Sequence, residues 1–216
     1  MPADSEAQRE AMIARQLRAR GIHDERLLDA VRRIPREEFV LADWRDQAYR
    51  DEPAPIGFGQ TISQPYMAAV MVQSLGLTGD ETVLDVGSGS GYHAALLGAM
   101  AGRVISIERI PQLAELARRN LERAGLAGNV TVVVGDGSHG YLPGAPYDAI
   151  SVAAGAPDVP AALFEQLADP GRLVIPVGSY EDQELRLIEK HGGAIRSRLV
   201  TLCRFVPLLG EQAWRE

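Results

Sequence analysis

The chain has 216 residues, 46% apolar and 24% charged, an ordinary globular mix with enough apolar residues for a sizeable core. With 22 Lys plus Arg against 29 Asp plus Glu, the formal charge is −7 and the only basic patches are short, such as Arg32 with Arg33, which argues against a nucleic-acid partner. No apolar run approaches the roughly 18 residues of a membrane helix, "MPADSEAQRE" is too polar for a signal peptide, and the lone Cys203 cannot form an internal disulfide, so the cytoplasm is the expected compartment.

In chain order, Ser5 followed by Gln8 resembles a capping box opening a helix through Met12, Ile13 and Leu17 that stops at Gly21. A second helix fits Asp24 to Arg33, with Leu27, Leu28, Val31 and Ile34 at helical spacing and Pro35 beyond its end. The charge-dense "DWRDQAYRDEP" then gives way to "PIGFGQTISQP", a loop with no acid, base, histidine or cysteine. Pro65 suits the first turn of a helix carrying Met67, Val70, Met71 and Leu75, ended near Gly76. From residue 80, β-branched runs alternate with helical stretches: "TVLDV", a helix from Tyr92, "RVISIE", a helix from Pro111 to Ala124, "VTVVV", "DAISVA", a helix from Pro160 and "RLVIPV". That alternation predicts an α/β fold, a mostly parallel sheet with helices on both faces. "ELRLIEK" and "RLVTLCRFVPLL", with no helix between them, predict an antiparallel pair at one edge.

"VLDVGSGSGYHAALL" sets a strand, a glycine turn and a helix in succession, the geometry of a ligand crevice at a strand's carboxyl end. Gly87, Gly89 and Gly91 give G-x-G-x-G, with Tyr92 where a dinucleotide fingerprint has its third glycine, and no G-K-[ST] is present. Glu108 ends the next strand, where a carboxylate can accept hydrogen bonds from both hydroxyls of a ribose. Asp136 ends the third, where its carboxylate or the nearby backbone can meet an adenine amino group; a helix N-cap is the alternative for either acid. Adenosine without phosphates, beside a glycine turn, points to S-adenosylmethionine.

"PIGFGQTISQPYMAA", "VLDVGSGSGYHAALL", "VISIERIPQLAE", "VVGDGSHGYLPGAPYDAI", "GRLVIPVG" and "RFVPLLG", in this order, resemble the protein-L-isoaspartate (D-aspartate) O-methyltransferases over roughly residues 5 to 210. The resemblance implies a Rossmann-like class I methyltransferase spanning 1–216, with a helical part and substrate loop over 1–78 and a cofactor-binding core with C-terminal strands over 79–216. It implies that Gly87, Gly89, Glu108 and Asp136 bind S-adenosylmethionine, that Thr61, Arg109 and Gly137 lie beside it, and that Ser63 faces the reacting carboxylate. His93 and Gly155 depart from the Gln and Ala associated with bacterial members. The implied partners are isoaspartyl-containing proteins and peptides, met by a monomer with no nucleic acid, membrane or metal.

A carboxylate substrate explains a loop without bases, since a carboxyl group with a pKa near 4 arrives already ionised and needs no general base. Helix capping is the competing role for Ser63. Cys203 reads as a core thiol and His23 and His139 as surface or packing residues, while Trp44 and Trp214 are too isolated to argue from. A small-molecule methyltransferase would share the glycine turn, a dehydrogenase would want the missing glycine, and a binding module would keep the fold without turnover.

Overall fold

The computed structural model of the chain describes residues 3–126 and 128–215. The first helix, α1, runs over Ala3–Met12 and continues into a π-turn at Ile13–Leu17 and a 3₁₀ turn at Arg18–Arg20, closed by Gly21 at φ 89°. Met12, Ile13 and Leu17 are buried as their spacing predicts. Ser5, however, lies inside α1 and does not open it, because Ala3 and Asp4 before it suit a first helical turn equally well. Helix α2 spans Glu25–Arg33, and the Asp24 carboxylate caps it, accepting from Arg26 N and Leu27 N. Two 3₁₀ turns, Arg36–Phe39 and Ala42–Gln47, complete the helical opening.

The uncharged loop is a small antiparallel hairpin, β1 (Ala54–Gly57) with β2 (Gln60–Ile62). Gly57, Phe58 and Gly59 take φ of 95°, 53° and 70°, a run of left-handed backbone that reverses the chain. Buried Ile56 and Ile62 pin its two arms. Helix α3 follows over Pro65–Leu75 and ends at Gly76, φ 55°.

The remaining elements are β3 (Thr82–Val86), α4 (Tyr92–Met100), β4 (Arg103–Glu108), α5 (Pro111–Arg123), β5 (Val130–Val134), β6 (Tyr147–Val152), α6 (Ala161–Glu165), β7 (Leu167–Gly178), β8 (Gln183–His191) and β9 (Ala194–Cys203). Among the described residues they build a seven-stranded sheet in the order β5-β4-β3-β6-β7-β8-β9. The first five strands in this order run parallel, and β8 and β9 close one edge antiparallel. The expected edge pair is present, but β9 stops at Cys203. Residues 204–209 leave the sheet and cross the end of β6, where Gly155 N donates to Val206 O and Leu208 N donates to Gly155 O, both at 2.8 Å.

Alternating strand residues fill two cores, one on each face. Val83, Val104 and Ala149 pack with α1 to α5 on one side, while Leu84, Ile105 and Ile150 pack on the other. Successive winding runs outward from β3 to β4 on one side and from β6 to β7 on the other. The crevice between the carboxyl ends of β3 and β6 is therefore the sheet's switch point, where such folds bind ligands.

Candidate active site

A cleft of about 300 Å³ opens at that switch point, and Thr61, Gly87, Gly89, Glu108, Arg109 and Gly137 all line it. Its floor disfavours side chains, by crowding at one glycine and by backbone conformation at two others. A Cβ on Gly137 would stand 2.5 Å from Val86 Cγ1, and Gly87 and Gly89 sit at φ 96° and 53°. Gly91, at φ 95°, lies against the backbone of Ala117, so it is this glycine that lets α4 approach α5, and Tyr92 can occupy the next position. Glu108 is almost fully buried; Oε2 accepts from Gly89 N and Oε1 from Ile110 N, each at 2.9 Å. The carboxylate thus ties the glycine turn to the start of α5 while still lining the cleft, and each oxygen retains a lone pair for a ribose hydroxyl. Backbone donors, a glycine floor and a strand-end carboxylate fit an adenosyl group.

Asp136 is placed differently from its neighbours in the motif. It does not line the cleft; Oδ1 accepts from Ser138 N and Oγ, and Oδ2 accepts from Glu211 N at 2.9 Å. Burial pushes its pKa up, but the hydrogen bonds from Glu211 and Ser138 outweigh this and hold it below the ordinary value. Its carboxylate anchors the C-terminal segment, and Leu208 and Leu209 of that segment form a wall of the cleft. Gly210 permits the contact, since a Cβ there would meet Asp136 Oδ1 at 2.1 Å. Trp214 completes the anchor, donating to Gly155 O and lying against Tyr180 with ring centroids 4.1 Å apart.

A narrow channel of about 30 Å³, lined by Thr61, Ser63, Tyr92 and His93, shares lining residues with the cleft and with an outer groove of about 300 Å³ bounded by Ser63, Gln64, Met67 and Phe205. Thr61 and Ala153 line all three spaces, and Ser63 lines the channel and the groove. Capping does not occupy Ser63: the N-cap of α3 is Gln64, and no side chain caps that helix. Gly155 makes room for Gln183, whose Nε2 would lie 2.4 Å from an added Cβ. The Gln183 amide in turn donates to Phe205 O and accepts from Phe205 N, holding the groove wall. Cys203 also borders the groove, half-buried, with its thiol pushed up to about 11 by burial, which keeps it protonated and inert.

Beneath the glycine turn lies a buried polar row. Asp85 pairs in register with Ser106 of β4 and Ser151 of β6; Ser106 Oγ donates to Asp85 Oδ2, and Ser151 Oγ meets His93 Nε2 at 2.8 Å. Burial lowers the His93 pKa to about 4, whereas burial raises that of Asp85 to about 7, against the hydrogen bond from Ser106 and helped by the charge of Glu108. The unfolded chain binds a proton at His93 between about pH 6.5 and 4 that the folded chain refuses, so this contribution to stability falls as pH falls through that window. Asp85 acts in the opposite sense, its contribution falling as pH rises from about 4 to 7. Comparing His93→Gln with the parent cancels Asp85: thermal unfolding is expected to show the parent losing about 2 kcal/mol relative to the variant between pH 7.5 and 5. A difference that stays constant with pH would mean that His93 accepts its proton in the folded state.

Phe58 is a site residue that composition and spacing do not reveal. It lines the cleft from the hairpin tip, 59% exposed and at positive φ. An aromatic between two glycines, "GFG", is the signal, since a non-glycine residue held there is strained and such strain gathers at functional sites. His139 is an exposed residue with Nε2 3.0 Å from Glu211 Oε2, and His23 Nδ1 meets Gly21 O at 2.9 Å, so neither reaches the channel. Among the described residues no cluster of His, Cys, Asp or Glu is arranged to hold a metal ion, and no helix is long and apolar enough to cross a membrane.

A parallel sheet whose winding reverses beside a glycine turn, with a carboxylate closing the following strand and no third fingerprint glycine, defines the class as Rossmann-like class I methyltransferases. Within that class the sequence matches the family described as protein-L-isoaspartate(D-aspartate) O-methyltransferase over residues 7–213, and the chain belongs to it. A protein-L-isoaspartate O-methyltransferase from Koribacter versatilis (strain Ellin345) is 52% identical over 206 residues, covering 95% of this chain and 92% of that protein. One from Methanoculleus marisnigri (strain ATCC 35101 / DSM 1498 / JR1) is 51% identical over 209 residues, covering 96% and 94%. Of solved structures, a protein-L-isoaspartate O-methyltransferase aligns with a TM-score of 0.84 at 31% identity, over 95% of this chain and 67% of the other. A Plasmodium falciparum chain ascribed the same activity, solved with S-adenosyl-L-homocysteine, aligns at 0.79 and 26% identity over 95% and 98%.

Proposed function

We propose that this chain transfers the methyl group of S-adenosylmethionine to the free α-carboxylate of L-isoaspartyl residues in damaged proteins and peptides, and that Ser63 orients that carboxylate. The observation that carries the reading is the place of Ser63, which lines both the narrow channel beside the glycine turn and the outer groove. No carboxylate lines either space, and the charged side chains at the groove are Arg20, paired with Asp51, and Arg204. An incoming anion therefore meets no carboxylate in the lining itself, the nearby Asp51 being paired with Arg20.

When bound, the cofactor supplies an electrophilic methyl group on a sulfonium. Glu108 and the backbone of Gly87, Gly89 and Gly137 would hold it, with Thr61 and Arg109 beside it and Asp136 acting through the C-terminal wall it anchors. The substrate carboxylate is ionised at neutral pH, so no residue has to take its proton, and His93, neutral and bonded to Ser151, takes none. Thr61 and Ser63 offer neutral hydroxyls, which align an oxygen without the grip of a cation. A tighter hold would slow transfer, because the carboxylate charge is spent in the transition state. The hairpin and the narrow channel keep water away from the reacting atoms. The ester then collapses to a succinimide, whose hydrolysis returns part of the damaged chain to aspartate.

The proposal extends to one catalytic domain over residues 1–216, working as a monomer in the cytoplasm without nucleic-acid or membrane partners; the net charge of −7 and the lone cysteine support that setting. Methyl transfer from labelled cofactor to an isoaspartyl peptide tests the reading. Ser63→Ala is expected to lower kcat/KM about ten- to a hundredfold through loss of one charge-assisted hydrogen bond, with cofactor affinity unchanged. Wild-type turnover by a folded Ser63→Ala protein would remove the residue from the site.

A further inference from the structure

Arg36 is fully buried, and its guanidinium makes no ion pair among the described residues. The carboxylate of Glu37 beside it is taken by Arg9 and by the Tyr49 hydroxyl. Nε donates to Ala48 O and an Nη to Ser63 O, both at 2.7 Å, the other Nη has no partner, and Cζ lies 5.0 Å from the ring centroid of Tyr92, the first residue of α4. Burial lowers its pKa to about 10, which leaves it charged at neutral pH. Two carbonyls, Tyr92 and the more distant charge of Asp51 favour the cation, but with no carboxylate bonded to it the buried charge still costs stability that an apolar side chain of similar volume would not, so packing alone does not account for it.

What the guanidinium accomplishes is geometric. Its rigid fork spans the segment before the hairpin and the residue after β2, fixing the Ser63 carbonyl beside the start of α4. We infer that Arg36 is a positioning residue for methyl transfer, holding the Ser63 peptide so that the hydroxyl faces the channel mouth where the carboxylate must align. This rests on the role assigned to Ser63. Among the described residues, Arg36 is the donor recorded for the Ser63 carbonyl, and the hairpin side chains supply none.

The test is a double-mutant cycle of Arg36→Lys and Ser63→Ala, assayed well below each variant's Tm with an isoaspartyl peptide, and with cofactor affinity measured by calorimetry. A lysine keeps the charge but lacks the rigid fork that bonds the two carbonyls from separate nitrogens. Arg36→Lys is expected to lower kcat about tenfold while peptide KM and cofactor Kd stay within about twofold, and the double variant should fall no more than about twofold below Ser63→Ala alone. Losses that multiply, or a loss of cofactor affinity matching the loss of kcat, would overturn the inference and make Arg36 purely structural. If Arg36→Lys does not fold, Arg36→Gln, which keeps a donor without a buried charge, takes its place in the cycle; failure of both to bind cofactor also overturns it. Ser63→Ala turning over at the wild-type rate would instead sink the assignment of Ser63 itself, a result distinct from multiplicative losses.

Discussion

Replacing Glu108 by alanine is expected to weaken S-adenosylhomocysteine binding by at least about a hundredfold, since two hydrogen bonds to a charged group are worth about 3 to 6 kcal/mol together. The carboxylate has two tasks in the structure. Its oxygens brace Gly89 N and Ile110 N, and the residue lines the cleft, where we propose that it accepts from a ribose. Alanine would remove both that proposed acceptor and the brace on the glycine turn. Glu108→Gln separates the contributions poorly but informatively, because its amide NH₂ must face one of two backbone donors and so should lose nearly as much affinity. Calorimetric titration of folded variants reads the effect. Unchanged affinity in Glu108→Ala would place the adenosyl group elsewhere, and tight binding of a nicotinamide dinucleotide would overturn the cofactor assignment.

The pieces that the sequence made legible are those governed by local pattern. Strand and helix periods, the start of α2 beside Asp24, and Pro65 and Gly76 as bounds of α3 all reappear because each depends on neighbours within a few residues. Glu108 and the glycine turn were readable for the same reason, a strand end followed at once by a helix start. Contacts that close over long separations were not legible. Asp136 is engaged by Glu211, 75 residues later, and nothing near "GDGS" announces that bond. Arg36 sits in "PREEF", where a surface arginine is the ordinary reading, and only the folded chain shows it reaching Ser63. The hairpin was hidden differently. Its strands are four and three residues long, too short for alternation to register, and the turn depends on a phenylalanine held at positive φ.

Matched peptides differing only in linkage are expected to separate by at least about a hundredfold in kcat/KM, the isoaspartyl form being methylated and the aspartyl form essentially untouched. In an isoaspartyl residue the main chain runs through the side-chain carboxyl, leaving the α-carboxylate one methylene closer to the backbone than the carboxylate of a normal aspartate. The channel is narrow, about 30 Å³, and Ser63 lines both it and the groove, whose wall at Phe205 is held by Gln183. A peptide lying in the groove is thus expected to have its backbone distance to the channel set by Ser63 and Phe205. Shifting the reacting oxygen by a methylene, more than 1 Å, takes it out of line with the methyl group, and a displacement of that size costs about a hundredfold or more. The discrimination should therefore appear mainly in kcat, since the flanking backbone that fills the groove is common to both peptides. Methanol release as the ester decays provides a second readout, because only the methylated product yields it. Equal rates on the two peptides would make this a general carboxyl methyltransferase, and activity on neither, with cofactor bound, would leave a binding module built on the same fold.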